Sequence, residues 1–409
     1  MSKFRILSLD GGGPWALVQV KALQKLYGEH AHGHEVLKHF DLVAANSGGS
    51  LTLAGLIEDR DLSDLLAKYF MDEKNRKSVF REVNLWPRIR DYVFYLLGIG
   101  PRYSTHAKRV ALTRILSSFG TMNLSKIQAT VEQQKGHCPH FVVCAFDYDR
   151  KRAMFFRSQL NSRAQSSAKA PESTLIDSVH ASSNAPITFF DEPAEVISRR
   201  FWDGAISGHN NPVLVAVVEA IAARHSPNDI QVLSLGTGSV RRPALPLEAK
   251  DPCGLAQQPQ RPLMFRHWRV ILGNIKELAG SILDDPPDAA TFIAHVVLGQ
   301  PLPTPGSASP VTTGSVVRMN PMIQPTLTKG SWVVPPELGC DGFKALADIP
   351  VDALEQPEVD KISALCDLWL ADGLPNQPIR SNSEDFACEI GQPLFSQARD
   401  HWLALSKMN

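Results

Sequence analysis

Three short patterns in this chain hold residue types able to carry out acyl transfer. Ser47 lies in Ala45-Asn46-Ser47-Gly48-Gly49, between an apolar run at 40–45 and helical spacing at 50–57. That is the setting of a nucleophile elbow, a sharp strand-to-helix turn that lifts a hydroxyl to the carboxyl edge of a sheet. The turn crowds backbone against backbone, so its neighbours must be small. Gly49 leaves it bare on one side, and Ala45 stands on the other where a further glycine is usual. A serine hydroxyl is a poor nucleophile until a base removes its proton. Asp203, in Trp202-Asp203-Gly204-Ala205, follows an extended stretch and precedes a helix start at 210–212. A carboxylate held on such a turn can take that proton directly. Each pattern by itself also fits something plainer: a Gly-rich turn that starts a helix, or an Asp-Gly surface turn.

The third pattern is Asp10-Gly11-Gly12-Gly13, ahead of Pro14 and a helical pattern. Consecutive glycines before a helix can aim several backbone N–H groups at one spot, and the helix N-terminus adds positive partial charge. Such a cradle suits an oxyanion or a phosphate. A P-loop would close with Gly-Lys-Ser/Thr and a dinucleotide fingerprint would carry further glycine where Trp15 and Ala16 stand, so neither phosphate motif matches. Gly48 adds a further N–H, since the residue after an elbow nucleophile often donates to the oxyanion. A Ser-His-Asp triad competes with a Ser-Asp dyad, because thirteen histidines are present. His209 is near Asp203 in sequence, while His225, His267, His295 and His401 sit in helical or loop contexts, and none has a distinctive setting. The dyad is the simpler assignment.

These groups need a scaffold that brings distant turns together. Residues 5–9 and 40–45 each read as a strand followed by a turn and a helix, and two such units in succession imply a parallel sheet in an α/β fold. Residues 140–148 and 152–157 flank Asp149-Arg150-Lys151 as a hairpin, and 231–235 is a buried strand ending at Gly236-Thr237-Gly238. The catalytic core is accordingly expected to occupy 1–240, with a helical cap at about 60–125. Residues 241–409 read as a loop-rich insertion followed by helices packed back on that core, since 241–262 and 299–314 are rich in Pro, Gly, Ser and Gln.

Bulk properties exclude several classes. With 44% hydrophobic and 21% charged residues the chain resembles neither a disordered nor a fibrous protein. Lys plus Arg and Asp plus Glu each total 42, so no global field draws it to nucleic acid polymers. The longest apolar stretch, 213–223, is far short of the roughly 20 residues a membrane span needs. A strand starting near residue 4 leaves no room for a secretory signal, so a cytoplasmic location is expected. The six cysteines lack C-x-x-C spacing, which suits a reducing compartment better than a disulfide framework. His137, Cys138 and His140 crowd beside Pro139 and read as a loop rather than a metal site, so no metal is assigned.

The order Asp-Gly-Gly-Gly, serine elbow, Asp-Gly-Ala, then Leu233-Ser234-Leu235-Gly236-Thr237-Gly238 resembles the patatin-like phospholipase family. Residues 103–119 and Ala181-Ser182-Ser183-Asn184-Ala185-Pro186 support the likeness, which extends over residues 4–240. The resemblance implies a three-layer α/β fold with a mainly parallel central sheet flanked by helices. It implies Ser47 as nucleophile, Asp203 as base, N–H groups of Gly11, Gly12, Gly13 and Gly48 as the oxyanion hole, and Asn46, Gly49 and Gly204 as supporting turn residues. It further implies glycerophospholipid or lysophospholipid substrates taken from a membrane surface at its inner face, with no cofactor. Some bacterial relatives are membrane-degrading antiviral effectors switched on by a cyclic nucleotide, which makes such an activator, and a homo-oligomer, expectations here. Trp15 and Ala16 depart from the family's basic residue and glycine, which leaves head-group contacts without their usual cation. Residues 74–103 mix Arg76, Arg81 and Arg102 with Phe80, Trp86 and Phe94, which fits an interfacial contact or a helical cap whose aromatics are core. A soluble esterase or acyltransferase, and a catalytically retired lipid-binding module, are the competing readings.

Overall fold

The computed structural model describes residues 3–83, 101–158, 172–186, 189–238, 250–254, 287–304, 309–381 and 387–407. Its centre is one sheet built from β1 (Phe4–Leu9), β2 (Leu42–Ala45), β3 (His140–Asp147), β4 (Arg152–Arg157), β5 (Ala194–Val196), β6 (Arg199–Asp203), β7 (Ile230–Leu235) and β8 (Val316–Met319). The order is β5-β6-β3-β2-β1-β7-β8, with β4 also on β3. β1 pairs in parallel with β2 and β7, β2 with β3, and β7 with β8. β4 and β6 run antiparallel to β3, and β5 antiparallel to β6. The mostly parallel α/β sheet is thus as expected from the two strand-turn-helix units, and the 140–157 hairpin is the β3–β4 pair.

Alternation along the strands divides the interior in two, because successive side chains point to opposite faces. Leu7 and Leu9 of β1, Val43 and Ala45 of β2 and Leu233 and Leu235 of β7 belong to one apolar cluster. Phe4 and Ile6, Leu42 and Ala44, and Ile230 and Val232 belong to a second. The first face receives α1 (Leu17–Tyr27), α2 (Ser47–Ile57) and α4 (Leu175–Ser182), which follows α3 (Thr105–Ile115) in the chain. The second receives α5 (Val213–Ala222) and α6 (Pro287–Val297) through Val213, Ala216, Val217 and Ala294. Each fully buried Leu, Ile or Val stabilises the fold by about 1.5–3 kcal/mol, and both faces are lined with them.

The later part of the chain completes this core. β8 extends the sheet beyond the boundary expected near 240, and Val317 and Met319 join the first apolar cluster. α7 (Gly339–Ala347), α8 (Gln356–Leu370) and α9 (Phe395–Lys407) add Phe343, Ile362, Trp369 and Trp402 to it. The reading of the cysteines needs correction for one pair: Cys253 and Cys340 form a disulfide with Cα atoms 5.4 Å apart. Their 87-residue separation follows no local spacing rule, so only the tertiary fold reveals it. Cys138, Cys144 and Cys366 are buried free thiols and Cys388 is partly exposed.

Candidate active site

The register of three strands explains how Ser47 meets Asp203 across 156 positions of sequence. On β3, Val142 and Val143 pair with β4 on one edge and with β2 on the other. Ala145 likewise pairs with β4 and, opposite it, with Asp203 of β6. β2 and β6 therefore share one flank of β3 and run towards each other. Ala45 is level with Val143 and Asp203 with Ala145, so the two strand ends meet beside Cys144. A Cβ on Gly204 would lie 2.4 Å from Asn46 Oδ1 and 2.8 Å from Cys144 Cβ, so only glycine allows the two turns to close.

Ser47 adopts φ 47°, a left-handed conformation unusual for a residue with a side chain. It is the strained residue of an elbow, between extended Asn46 (φ −132°, ψ 147°) and the helix α2 that Ser47 begins. The Ser47 N–H donates to Ser182 Oγ at 2.9 Å, and Ser50 Oγ donates to Ser47 O at 2.6 Å. Ser182 comes from α4, which starts in a capping box: Asp177 N–H donates to Thr174 Oγ1 at 3.1 Å and Thr174 N–H to Asp177 Oδ2 at 3.3 Å. The turn after α4 also fixes the base, since Asp203 N–H donates to Asn184 O at 2.9 Å. The 181–186 segment thus touches both Ser47 and Asp203.

Asp203 is 2% exposed, and its carboxylate oxygen Oδ1 accepts from Ala205 N–H at 2.9 Å and Asn46 Nδ2 at 3.0 Å. Burial pushes its carboxyl above the ordinary carboxylate range, while the Ala205 N–H, the Ser47 and Asn46 side chains and the Lys108 charge pull the other way. Its dry surroundings give this carboxylate more proton affinity than an exposed one has, which suits it to general-base work.

The glycine loop lies against this pair. A Cβ on Gly48 would stand 2.5 Å from Gly13 O and 2.7 Å from Gly13 N, so elbow and loop are in backbone contact. Gly13 itself has φ 53°, which favours glycine. Gly12 packs on Thr237, whose Oγ1 donates to Gly11 O at 2.8 Å. Among the described residues the N–H groups of Gly12, Gly13 and Gly48 have no protein acceptor, and all three glycines line the cavity. Gly11 differs from expectation: its N–H already donates to Asn210 O at 2.8 Å, so it shapes the loop instead of facing a substrate. Gly49 closes α2 onto β1, where a Cβ would lie 2.4 Å from Leu9 O. Asp10 is held by Arg318 of β8, 2.6 Å away in an ion pair whose side chains are only 1–2% exposed, and Arg318 also donates to Ser234 Oγ at 2.8 Å.

Ser47, Asp203 and Gly11–Gly13 border one cavity of about 290 Å³, walled by Trp15, Leu51, Phe80, Phe189, Phe190, Ile349 and Val351. These aromatic and aliphatic walls give an acyl chain apolar surface, and Lys108, Asn210, Thr237, Asn320 and Asp352 add polar groups to the lining. Among the described residues no histidine lines it. His209 packs edge-on against Phe155, and its protonation is disfavoured by burial. Of the candidate metal cluster, His137 bonds Phe40 O at 2.7 Å and His140 bonds Gln128 at 2.9 Å, each ring serving a separate neighbour.

Sequence reasoning missed Lys108, Ser182 as a bonding partner, Arg318 and the 347–352 wall. Lys108 had a legible signal, standing with Thr105, Ala111 and Leu112 on the buried stripe of α3. Of the basic-aromatic stretch, residues 84–100 lie outside the described residues. Arg76 is buried and donates to Phe70 O, Leu354 O and Gln356 Oε1, while Phe80 stacks with Phe190 beside the cavity. Arg76 is thus engaged inside the fold, and Phe80 is half-buried at the cavity.

The model of the patatin-like phospholipase family matches residues 7–217. An intracellular phospholipase A2 of Caenorhabditis elegans is 27% identical over 224 residues, which is 54% of this chain and 17% of that protein's length. Among solved structures, VipD from Legionella pneumophila overlaps 90% of this chain and 67% of its own at 11% identity and a TM-score of 0.35. Human GIVD cytosolic phospholipase A2 overlaps 38% of this chain and 22% of its own at 19% identity and a TM-score of 0.23.

Proposed function

Because this chain belongs to the patatin-like phospholipase family, we propose that it hydrolyses carboxylic ester bonds of membrane glycerophospholipids through a Ser47–Asp203 dyad. The observation that carries the reading is the left-handed Ser47 beside the buried Asp203, both bordering a cavity with aromatic and aliphatic walls. Ser47 Oγ attacks the ester carbonyl while Asp203 takes the hydroxyl proton. The carbonyl oxygen becomes an oxyanion held by the N–H groups of Gly12 and Gly13, with Gly48 as a third donor. The tetrahedral centre collapses, the C–O bond to glycerol breaks, and Asp203 returns its proton to the leaving alcohol. A water then repeats the sequence on the acyl-enzyme, giving a fatty acid and free Ser47. Each such donor contributes about 3 kcal/mol of transition-state stabilisation, so the loop matters nearly as much as the base. Among the described residues no helix is long and apolar enough to cross a membrane, so the substrate would be met by transient contact with the bilayer surface.

A serine-directed fluorophosphonate tests the assignment together with fatty-acid release from phosphatidylcholine and phosphatidylglycerol vesicles. Labelling and release are expected in the natural protein and absent in Ser47→Ala. Labelling that persists in Ser47→Ala would refute the nucleophile. Release of acyl groups from soluble short-chain esters with none from vesicles would replace the membrane substrate with a soluble one.

A further inference from the structure

Lys108 has no part in the steps above, yet it borders the same cavity as Ser47 and Asp203. It is fully buried, on the α3 stripe that also carries Ala111 and Leu112. Its Nζ donates to His180 O at 3.0 Å and to Ser183 Oγ at 3.4 Å, and lies 4.2 Å from the centroid of the Phe190 ring. Those partners are neutral. A methionine would fill the stripe without the desolvation an ammonium suffers, so apart from the bond to His180 O in the last turn of α4, packing gives no reason for a lysine here.

The charges around Asp203 give one. Ser47 and Asn46 face it from the elbow and are neutral. Cys144 faces it from β3, and burial pushes that thiol well up, which keeps it protonated. Across the cavity Asp10 is paired with Arg318, and Asp352 accepts from Arg102 at 3.3 Å and from Tyr103. Behind Lys108, burial and the neighbouring Lys108 charge drive His180 down to about 2, so it is neutral. Among the described residues Lys108 is the basic side chain that lines the cavity with Asp203; burial pushes its amine well below the ordinary range while the Asp203 charge pulls the other way, and the Lys108 charge in turn favours ionised Asp203. We propose that Lys108 is a positioning residue whose ammonium keeps the buried Asp203 ionised and ready to accept the Ser47 proton. It supplies from α3 a cation that the Trp15-Ala16 segment of the glycine loop does not. Lys108 keeps its own protons throughout; the proton passes only between Ser47, Asp203 and the leaving group or water.

This inference rests on the dyad reading, and the experiment separates the two. The rate of fluorophosphonate labelling and kcat/KM for a short-chain ester are measured against pH in the natural protein, Lys108→Met and Lys108→Arg. The acid limb is expected to move to higher pH by about one unit in Lys108→Met and to return towards its natural position in Lys108→Arg. A lysine with a purely structural role would lower the rate equally at all pH and leave the limb in place, and that result overturns the inference. A second measurement needs no stable variant. In the natural protein the Asp203 carboxyl is followed by ¹³C NMR and the Lys108 amine by ¹⁵N NMR. Lys108 is expected to be charged wherever Asp203 is ionised and the enzyme active; a neutral amine there overturns the proposal. Loss of all labelling and turnover in the natural protein would instead remove the dyad reading, while the two titrations would still report whether Lys108 and Asp203 are coupled.

Discussion

Gly48→Ala tests the contact on which the proposed oxyanion site depends. The added Cβ would stand 2.5 Å from Gly13 O, 2.7 Å from Gly13 N and 3.1 Å from Ala16 Cβ. An ordinary non-bonded contact is about 3.5 Å, so the elbow and the glycine loop must separate by about 1 Å. The obstructing atoms are backbone, and no side-chain rotation relieves them. The displacement moves Gly13 N–H away from the carbonyl that Ser47 attacks. A misplacement of about 1 Å in a reacting geometry costs about a hundredfold in rate. We therefore expect kcat for ester hydrolysis and the labelling rate of Ser47 to fall about a hundredfold, with KM nearly unchanged because the acyl-binding walls stay in place. Gly342→Ala is the control: it lies within α7 with only Leu338 Cβ nearby, at 3.7 Å, and should keep full activity and gain about 0.5–1 kcal/mol of stability. A Gly48→Ala enzyme within threefold of the natural rate, its fold intact by circular dichroism, would refute the oxyanion assignment.

Asp203 gives a pH prediction whose sign follows from its raised carboxyl. Activity requires the ionised form, so kcat/KM should fall as pH drops through a value above the ordinary carboxylate range; a limb at or below about 4 would contradict this. Its raised proton affinity favours the fold below the unfolded carboxyl's range, and that stability is lost as pH rises through the folded value. Asp203→Asn should therefore melt higher than the natural protein at neutral pH, converge with it in acid, and lose about 10²- to 10⁴-fold in turnover. Arg318→Met leaves Asp10 buried without its cation and should cost about 3–5 kcal/mol in urea denaturation, much of it recovered in Asp10→Asn with Arg318→Met. Additive costs in that double-mutant cycle would show that the pair is not coupled. Removing the Cys253–Cys340 bridge as Cys253→Ser with Cys340→Ser should lower stability by about 2–5 kcal/mol, read by calorimetry, while Ser47 labelling below the new melting point stays unchanged.

What the sequence determines by itself is local. An apolar run, a bare turn and a helix can be read from neighbouring residues, so β1, β2, α2, the β3–β4 hairpin and the turn types at Ser47 and Asp203 are legible, as is the family. Ser47 in a left-handed conformation follows from the same crowding that requires Gly48 and Gly49 beside it. The tertiary structure decides everything that depends on pairing between distant segments. That β6 runs antiparallel along the flank of β3 shared with β2 brings Asp203 to Ser47. Asn210 O takes the Gly11 N–H and leaves Gly12 and Gly13 unengaged within the described chain, a division that three identical residues cannot announce. Arg318 and the 347–352 wall come from beyond the boundary expected at 240, because an ion pair or a cavity wall is made by proximity in space. Lys108 combines both kinds of information: its place on the buried stripe is written in the spacing of α3, but that the stripe faces Asp203 is settled only by how α3 packs.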